Sequence, residues 1–395
     1  MSQNATALAT TGTINGYDYT VAINNALDTI KTNSSGASAP ASPSTWQFWL
    51  DTTNNLLKQY NGSVWLALGS VAGGLFVPYM NGASVGGQFV GFVNKFRNGN
   101  MDVWQRGLTG TITAGTPAYT ADGWIVGCTG ANISWGKSAG GANGNTYYML
   151  LTGAASVTDS FVKQRIESLV SNQLLQGGAP ITFQCAVYNN TGAAIVPTLT
   201  VKTPTAADNY AGTTTQVNAV NLQSCPNGQT TTVAYTFATS AAILYGLEAT
   251  IDFGASLNSG AKTIGVLCFD IRATPSATIG QNNFPPLPEL RPSSYELQFC
   301  QRYYEVQGSG NGAIYVRAVI GNGGYLSAPL SFAVPKRAAP TMAVVGTWNV
   351  ANCTQPTIAG SSTTSYSIGA GGTASAEALF VTTGTSTYVT ASAEL

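Results

Sequence analysis

Ile181-Thr182-Phe183-Gln184-Cys185-Ala186-Val187 alternates with a period of two. A period of two puts successive side chains on opposite faces of a strand. Val233-Ala234-Tyr235-Thr236-Phe237 repeats the pattern, and residues 263–271, 314–320 and 330–334 follow it, with Gly, Asn, Ser or Pro clusters between them. Short alternating strands separated by turn residues read as sandwiches or jelly rolls. Residues 161–167 fit either a helix or a strand, and their β neighbours favour a strand. The predicted fold class is mainly β.

Only two segments read as helices. Between Asp18 and Lys31, Ala22, Ile23, Ala26, Leu27 and Ile30 fall on one helical face. Between Ser293 and Tyr304, Ser293 and Glu296 are spaced as a capping box after Pro292, with Leu297, Cys300 and Tyr304 as an apolar stripe. Residues 32–45 form a Ser/Ala/Pro/Gly linker, and residues 46–69 a compact aromatic unit with turns at Asp51-Thr52-Thr53-Asn54-Asn55 and Asn61-Gly62. The expected organisation is an N-terminal segment over 1–80 and a Gly-rich linker over 81–93. A jelly-roll β-sandwich over 94–290 follows, then a short helix plus a C-terminal β domain over 291–395. Pro285-Pro286-Leu287-Pro288 stiffens the exit of the sandwich.

Composition narrows the function. The chain has 395 residues, of which 8% are charged, about a third of the usual share. Sixteen basic residues balance sixteen acidic ones, which argues against a nucleic-acid binder or a polybasic membrane-surface protein. No apolar run approaches the roughly 18 residues of a membrane helix, so no membrane insertion is expected. A chain without net charge tends to associate, and a homo-oligomer is expected. There is no histidine. That removes the Ser-His-Asp and Cys-His nucleophile pairs, the histidine base and the histidine metal ligand. Cys128, Cys185, Cys225, Cys268, Cys300 and Cys353 lie far apart with no C-x-x-C spacing. The start Met1-Ser2-Gln3-Asn4 has neither a basic region nor an apolar one, so buried free thiols are expected.

Ala131-Asn132-Ile133-Ser134-Trp135-Gly136-Lys137-Ser138 is a loosened match to a phosphate loop. The Gly- and Asn-rich residues 139–145 cannot begin the helix that such a loop requires, and no cofactor is expected. The acids Asp102, Asp122, Asp159, Glu167, Asp208, Glu248, Asp252 and Asp270 are isolated in sequence. Glycosidase chemistry would need two of them to converge. Aromatic faces stack on sugar rings, while Asn, Gln and Thr hydrogen-bond hydroxyls. The candidate glycan contacts are Trp135, Tyr147, Tyr325 and Trp348. No catalytic or metal-binding residue is assigned.

Gly16-Tyr17-Asp18-Tyr19-Thr20, Trp49-Leu50-Asp51-Thr52-Thr53-Asn54-Asn55-Leu56-Leu57-Lys58 and Asn61-Gly62-Ser63-Val64-Trp65 resemble the attachment segment of many bacteriophage fibres. Asn98-Gly99-Asn100-Met101-Asp102-Val103-Trp104-Gln105-Arg106-Gly107, then Tyr119-Thr120-Ala121-Asp122-Gly123-Trp124, resembles the opening of a jelly roll similar to carbohydrate-binding modules. Gln164-Arg165-Ile166-Glu167 is similar to its middle. Glu289-Leu290-Arg291-Pro292 and Cys300-Gln301-Arg302-Tyr303-Tyr304 resemble its exit, and Pro335-Lys336-Arg337-Ala338-Ala339-Pro340-Thr341 and Ala393-Glu394-Leu395 also fit. Gly123 stands where Arg is common.

In this order the motifs resemble a tailed-bacteriophage virion fibre, a tail fibre or receptor-binding protein. The resemblance implies a non-enzymatic homotrimer located in the virion and assembled in the host bacterial cytoplasm. Its partners would be other virion proteins, of the tail, the portal-adaptor region or the capsid, and host surface polysaccharide. Tyr17, Tyr19, Trp46, Trp49 and Trp65 would serve virion attachment. The alternatives are a head fibre or capsid decoration protein and, behind it, a tail-borne polysaccharide depolymerase.

Overall fold

The computed structural model describes residues 15–31, 34–71, 76–80, 83–84, 92–140, 146–275 and 277–395. Most of the expected 81–93 linker, residues 81–82 and 85–91, lies outside the described residues, as do residues 141–145. The described chain is mainly β, with antiparallel sheets and three short α-helices. Among the described residues no helix is long and apolar enough to cross a membrane. All six cysteines are free and buried.

The chain forms two compact units. The first takes the described residues up to 93, with 274–278 and 284–287. It contains the helix Gly16–Lys31 and a five-stranded antiparallel meander that begins Phe48–Asp51, Leu56–Tyr60, Trp65–Ser70. Asp51 closes the first turn by accepting from the backbone amides of Thr53 and Asn54 and from the amine of Lys58. Burial alone would raise the carboxyl, but the bonds from Asn54 and Lys58 outweigh it and hold it at about 2.

The second unit, residues 94–273, 279–283 and 288–395, holds two large apolar cores and a small third cluster of Ala186, Leu267 and Cys268. The first core lies between a seven-stranded sheet and a six-stranded one. Successive strands switch between these sheets, as in a jelly roll: Tyr147–Thr152 and Ile181–Asn190 belong to the larger, Asp159–Ile166 and Thr198–Ala206 to the smaller. The alternation at 181–187 does its work here. Phe183, Cys185 and Val187 enter the core, where Phe183 joins Phe96, Trp124 and Phe269. The phosphate-loop look-alike lies on the strand Ile133–Ala139. Three three-stranded sheets surround the second core, built on Leu326, Trp348, Tyr366, Ile368 and Phe380.

Two expectations need correction. The segment after Pro292 is helical over Ser293–Gln301, but Ser293 and Glu296 form no capping box. Glu296 turns away to pair with Arg291 and to accept from the Asn98 amide. Leu297 is exposed and Tyr304 opens the strand Tyr304–Gln307, so no stripe forms. The expected strand at 330–334 is the end of Tyr325–Ser331, and the chain leaves the sheet at Phe332.

Ion pairs, hydrogen bonds and cation–π contacts join the two cores. Glu394 takes Arg97 at 2.7 Å on one carboxylate oxygen and Arg106 at 2.8 Å on the other. Arg165 and Tyr119 donate to the Leu395 carbonyl, and Arg337 donates to those of Ala393 and Glu394. The Arg97 and Arg106 guanidinium groups lie over the rings of Tyr303 and Tyr304 at 3.9 and 3.6 Å. Gly123 leaves room for this packing, since a Cβ there would lie 2.6 Å from Arg97 Nε. Its φ of +83° also suits glycine.

Candidate functional site

The arginines and glutamates are few and already paired. Every arginine and every glutamate of the chain stands in an ion pair. Among these pairs only Arg317–Glu377 is largely exposed on both sides. Much of the remaining surface therefore consists of hydroxyl, amide, glycine and aromatic groups.

These groups gather on the outer face of the seven-stranded sheet. Met149 and Leu151 point into the core, so Tyr148 and Leu150 point out. Val187 points in, so Tyr188 points out. Gly265 pairs with Leu150 on one side and Tyr188 on the other. A Cβ at Gly265 would lie 2.8 Å from the Tyr148 ring and 3.2 Å from Tyr188 Cβ. The bare glycine thus lets Tyr148 lie against the sheet with Tyr188 beside it. Register puts Thr111, Ser134, Thr152, Thr263 and Asn190 in the adjoining row of that face, and Asn190 donates to Thr263 Oγ1 at 3.3 Å. Two half-buried rings beside a row of hydroxyl and amide groups can take one face of a sugar and bond its edge.

The far end of the same face is closed. Arg272 and Asp270 pair there, Thr182 and Thr236 share a hydrogen bond, and the Glu289 amide donates to Asp270.

No family model and no curated protein matches the chain. Among solved structures it is similar to the CBM22-1–GH10 modules of Clostridium thermocellum xylanase 10B, with 13% identity over 41% of this chain and a TM-score of 0.27. It is also similar to the enzymatically active domain of bacteriophage CBA120 tailspike protein 4, with 10% identity over 46% and a TM-score of 0.29. The chain spans 28% and 21% of those two chains. A third likeness is to the CBM22-2 xylan-binding domain of Paenibacillus barcinonensis Xyn10C, with 14% identity over 46% of this chain and 99% of that one, and a TM-score of 0.28. At these TM-scores the likenesses carry no argument. The sandwich is read from the chain's own sheets.

The residues proposed from sequence land in different places. Trp135 is a core residue, stacked on Trp104 at 5.9 Å. Trp348 fills the second core, donates to the Val345 carbonyl and meets Phe380. Both are corrected from glycan contacts to core rings, since a ring enclosed by protein offers no face to a sugar. Tyr147 is half-buried under the Lys137 amine, 3.7 Å from its centroid. Tyr325 is 53% exposed, its ring against Gly369. Of the attachment residues, Tyr17, Tyr19 and Trp46 are exposed, and Trp65 is half-buried. Trp49 is corrected to core: it bonds the Gly36 carbonyl and packs against Trp65 at 5.3 Å. Tyr188 escaped the sequence reading, which ended that strand at Val187, one residue short.

Two acids read as isolated do converge. Asp159 and Asp252, on neighbouring strands, share a hydrogen bond. A glycosidase keeps its carboxyls about 5 Å or more apart, so a directly bonded pair leaves no room for the sugar linkage. Burial, then the charge of Asp159, pushes Asp252 up to about 6 despite the bond from the Gly254 amide. The unfolded chain ionises Asp252 near its ordinary 3.8. The contribution to stability is therefore full below that value and is lost as pH rises through 6. Asp252→Asn keeps a donor for Asp159 with no proton to lose. Melting curves against pH should show the variant gaining on the parent by about 2–5 °C between pH 4 and 7; a constant difference refutes the shared proton.

Proposed function

We propose that the protein is a non-enzymatic, glycan-binding component of a phage virion, a trimeric tail fibre held to the particle through its first unit. The observation that carries the glycan-binding reading is the outer face on which Tyr148 and Tyr188 flank Gly265 beside a row of hydroxyl groups. Such a face recognises a neutral, repeating ligand without ion pairs, and host surface polysaccharide has that chemistry. Weak single contacts become firm when several copies bind one repeating surface.

The virion reading draws on the sequence resemblance and on the helix Gly16–Lys31. Tyr17 on it is 78% exposed and Leu27 56%. A helix of this length is marginal alone, and a partner surface or sister helices would cover it. Trimerisation would also cover sheet edges that invite uncontrolled pairing.

The test is binding of the full-length protein to purified host polysaccharide and its competition with virions for host cells. Tyr188→Ala and Tyr148→Ala should each weaken polysaccharide binding roughly tenfold with the β-sheet circular dichroism retained, Tyr148→Ala melting somewhat lower because its ring packs on Ala186, Leu267 and Cys268. Undiminished binding in both variants would refute the assignment of the face. Competition that fails although the protein binds its own particles would refute the receptor-binding role.

A further inference from the structure

A buried lysine lies beside the second core. Lys336 has a fully enclosed side chain, and its amine contacts one carboxylate oxygen of Glu305, itself 2% exposed, and the Gln301 carbonyl. The other Glu305 oxygen accepts from the Gln307 carboxamide nitrogen at 2.5 Å and from the Ala333 amide at 3.1 Å. Gln307 also donates to the Ser331 carbonyl at 3.0 Å, and its carboxamide oxygen accepts from the Tyr366 hydroxyl at 2.9 Å. Phe332 and Tyr366 stack at 5.3 Å beside them, with the Lys336 amine 4.7 Å from the Phe332 centroid.

We propose that Lys336 and Gln307 join in an intramolecular isopeptide bond, formed without an outside catalyst through Glu305 and Tyr366. One carboxylate bridges a primary amine and a carboxamide, and a hydroxyl is already bonded to the carboxamide oxygen. These are the nucleophile, acid–base and oxyanion-donor roles of acyl transfer. Burial favours the neutral amine that the step requires.

The Lys336 ammonium passes a proton to Glu305. Its nitrogen lone pair then attacks Gln307 Cδ, and the oxyanion forms where Tyr366 donates. The C–N bond to the carboxamide nitrogen breaks as that nitrogen takes up the second proton shed by the amine, relayed by Glu305. Ammonia leaves, and Glu305 keeps one proton. Five hydrogens and no net charge stand on each side of the step. No oxidant, reductant or co-reactant enters. The product replaces two buried charges by an amide and a neutral carboxyl, removing the desolvation cost of the ion pair.

The test is intact-mass spectrometry of the full-length protein, denatured and reduced, followed by peptide mapping. The expected mass is below that of the sequence by one ammonia, with the peptides carrying Gln307 and Lys336 linked. Glu305→Gln and Lys336→Met should both restore the full mass while keeping the parent's β-sheet circular dichroism, which separates loss of the reaction from loss of the fold. A parent protein at its full sequence mass overturns the proposal. So does ammonia loss that maps to Asn61-Gly62 or another asparagine, or that survives in Lys336→Met.

Discussion

Replacing Glu394 by alanine should lower the melting temperature of the second unit by about 10 °C, the loss of about 3–5 kcal/mol expected when one partner of a buried pair is removed. Its carboxylate is 7% exposed and stands between Arg97 and Arg106, themselves 6% and 12% exposed. Without it Arg97 loses its carboxylate and Arg106 is left with Asp122 alone, at 3.6 Å. Glu394→Gln retains the shape and part of the hydrogen bonding, so an intermediate loss is expected. The control is Glu377→Ala. Its pair with Arg317 is exposed on both sides, and such pairs contribute at most about 1 kcal/mol. Calorimetry of the three variants separates the cases. A Glu394→Ala protein melting with the parent would show that the arginine cluster tolerates its own charge.

Asn98→Ala should be comparably damaging, by about 4 kcal/mol, the sum of stranded polar groups and an unfavourable backbone. Asn98 is wholly buried. Its amide nitrogen donates to the carbonyls of Val103 and Asp122, and its side-chain oxygen accepts from the Val103 amide. Its own carbonyl accepts from the Trp124 indole. Its φ of +52° is one that asparagine adopts more readily than alanine. Truncation strands the Asp122 carbonyl and the Val103 amide, while the Val103 carbonyl still accepts from the Asp122 amide. Asn98→Asp retains the acceptor alone and should fall between. Urea unfolding followed by tryptophan fluorescence reads both, and an alanine variant within about 1 kcal/mol of the parent would refute the account.

Asn98 also marks how far the residues could be read. The stretch from Asn98 to Gly107 stood out as a motif, and the structure shows it held by the buried Asn98 side chain. The strand at 181–187 was legible because its period of two is a local property, and so were the helices near residues 16–31 and 293–301. The Glu394 clamp was not. Its partners lie 297 and 288 residues away, and no local pattern encodes that distance. Glu296 misled for the same reason: a capping box is a local rule, and Arg291 and Asn98 outbid it. Which face a ring occupies follows from parity, and parity would have placed Trp135 inward beside Ile133. A half-buried ring such as Tyr148 required more, since its exposure depends on Gly265 in a strand more than a hundred residues on.

Engaging the ions within the fold has an effect on how the molecule meets its surroundings. A pair sunk between two cores is screened little by dissolved salt, whereas one on the surface loses most of its strength beyond about 8 Å at physiological ionic strength. The fold, and on the proposed reading the sugar-binding face, should therefore change little between fresh water and brine. The same economy leaves little long-range field for steering, so encounters proceed at the unguided rate of neutral pairs, about 10^5–10^6 per molar per second. On the proposed glycan-binding role, capture would then depend on how many faces are presented and how long each one holds.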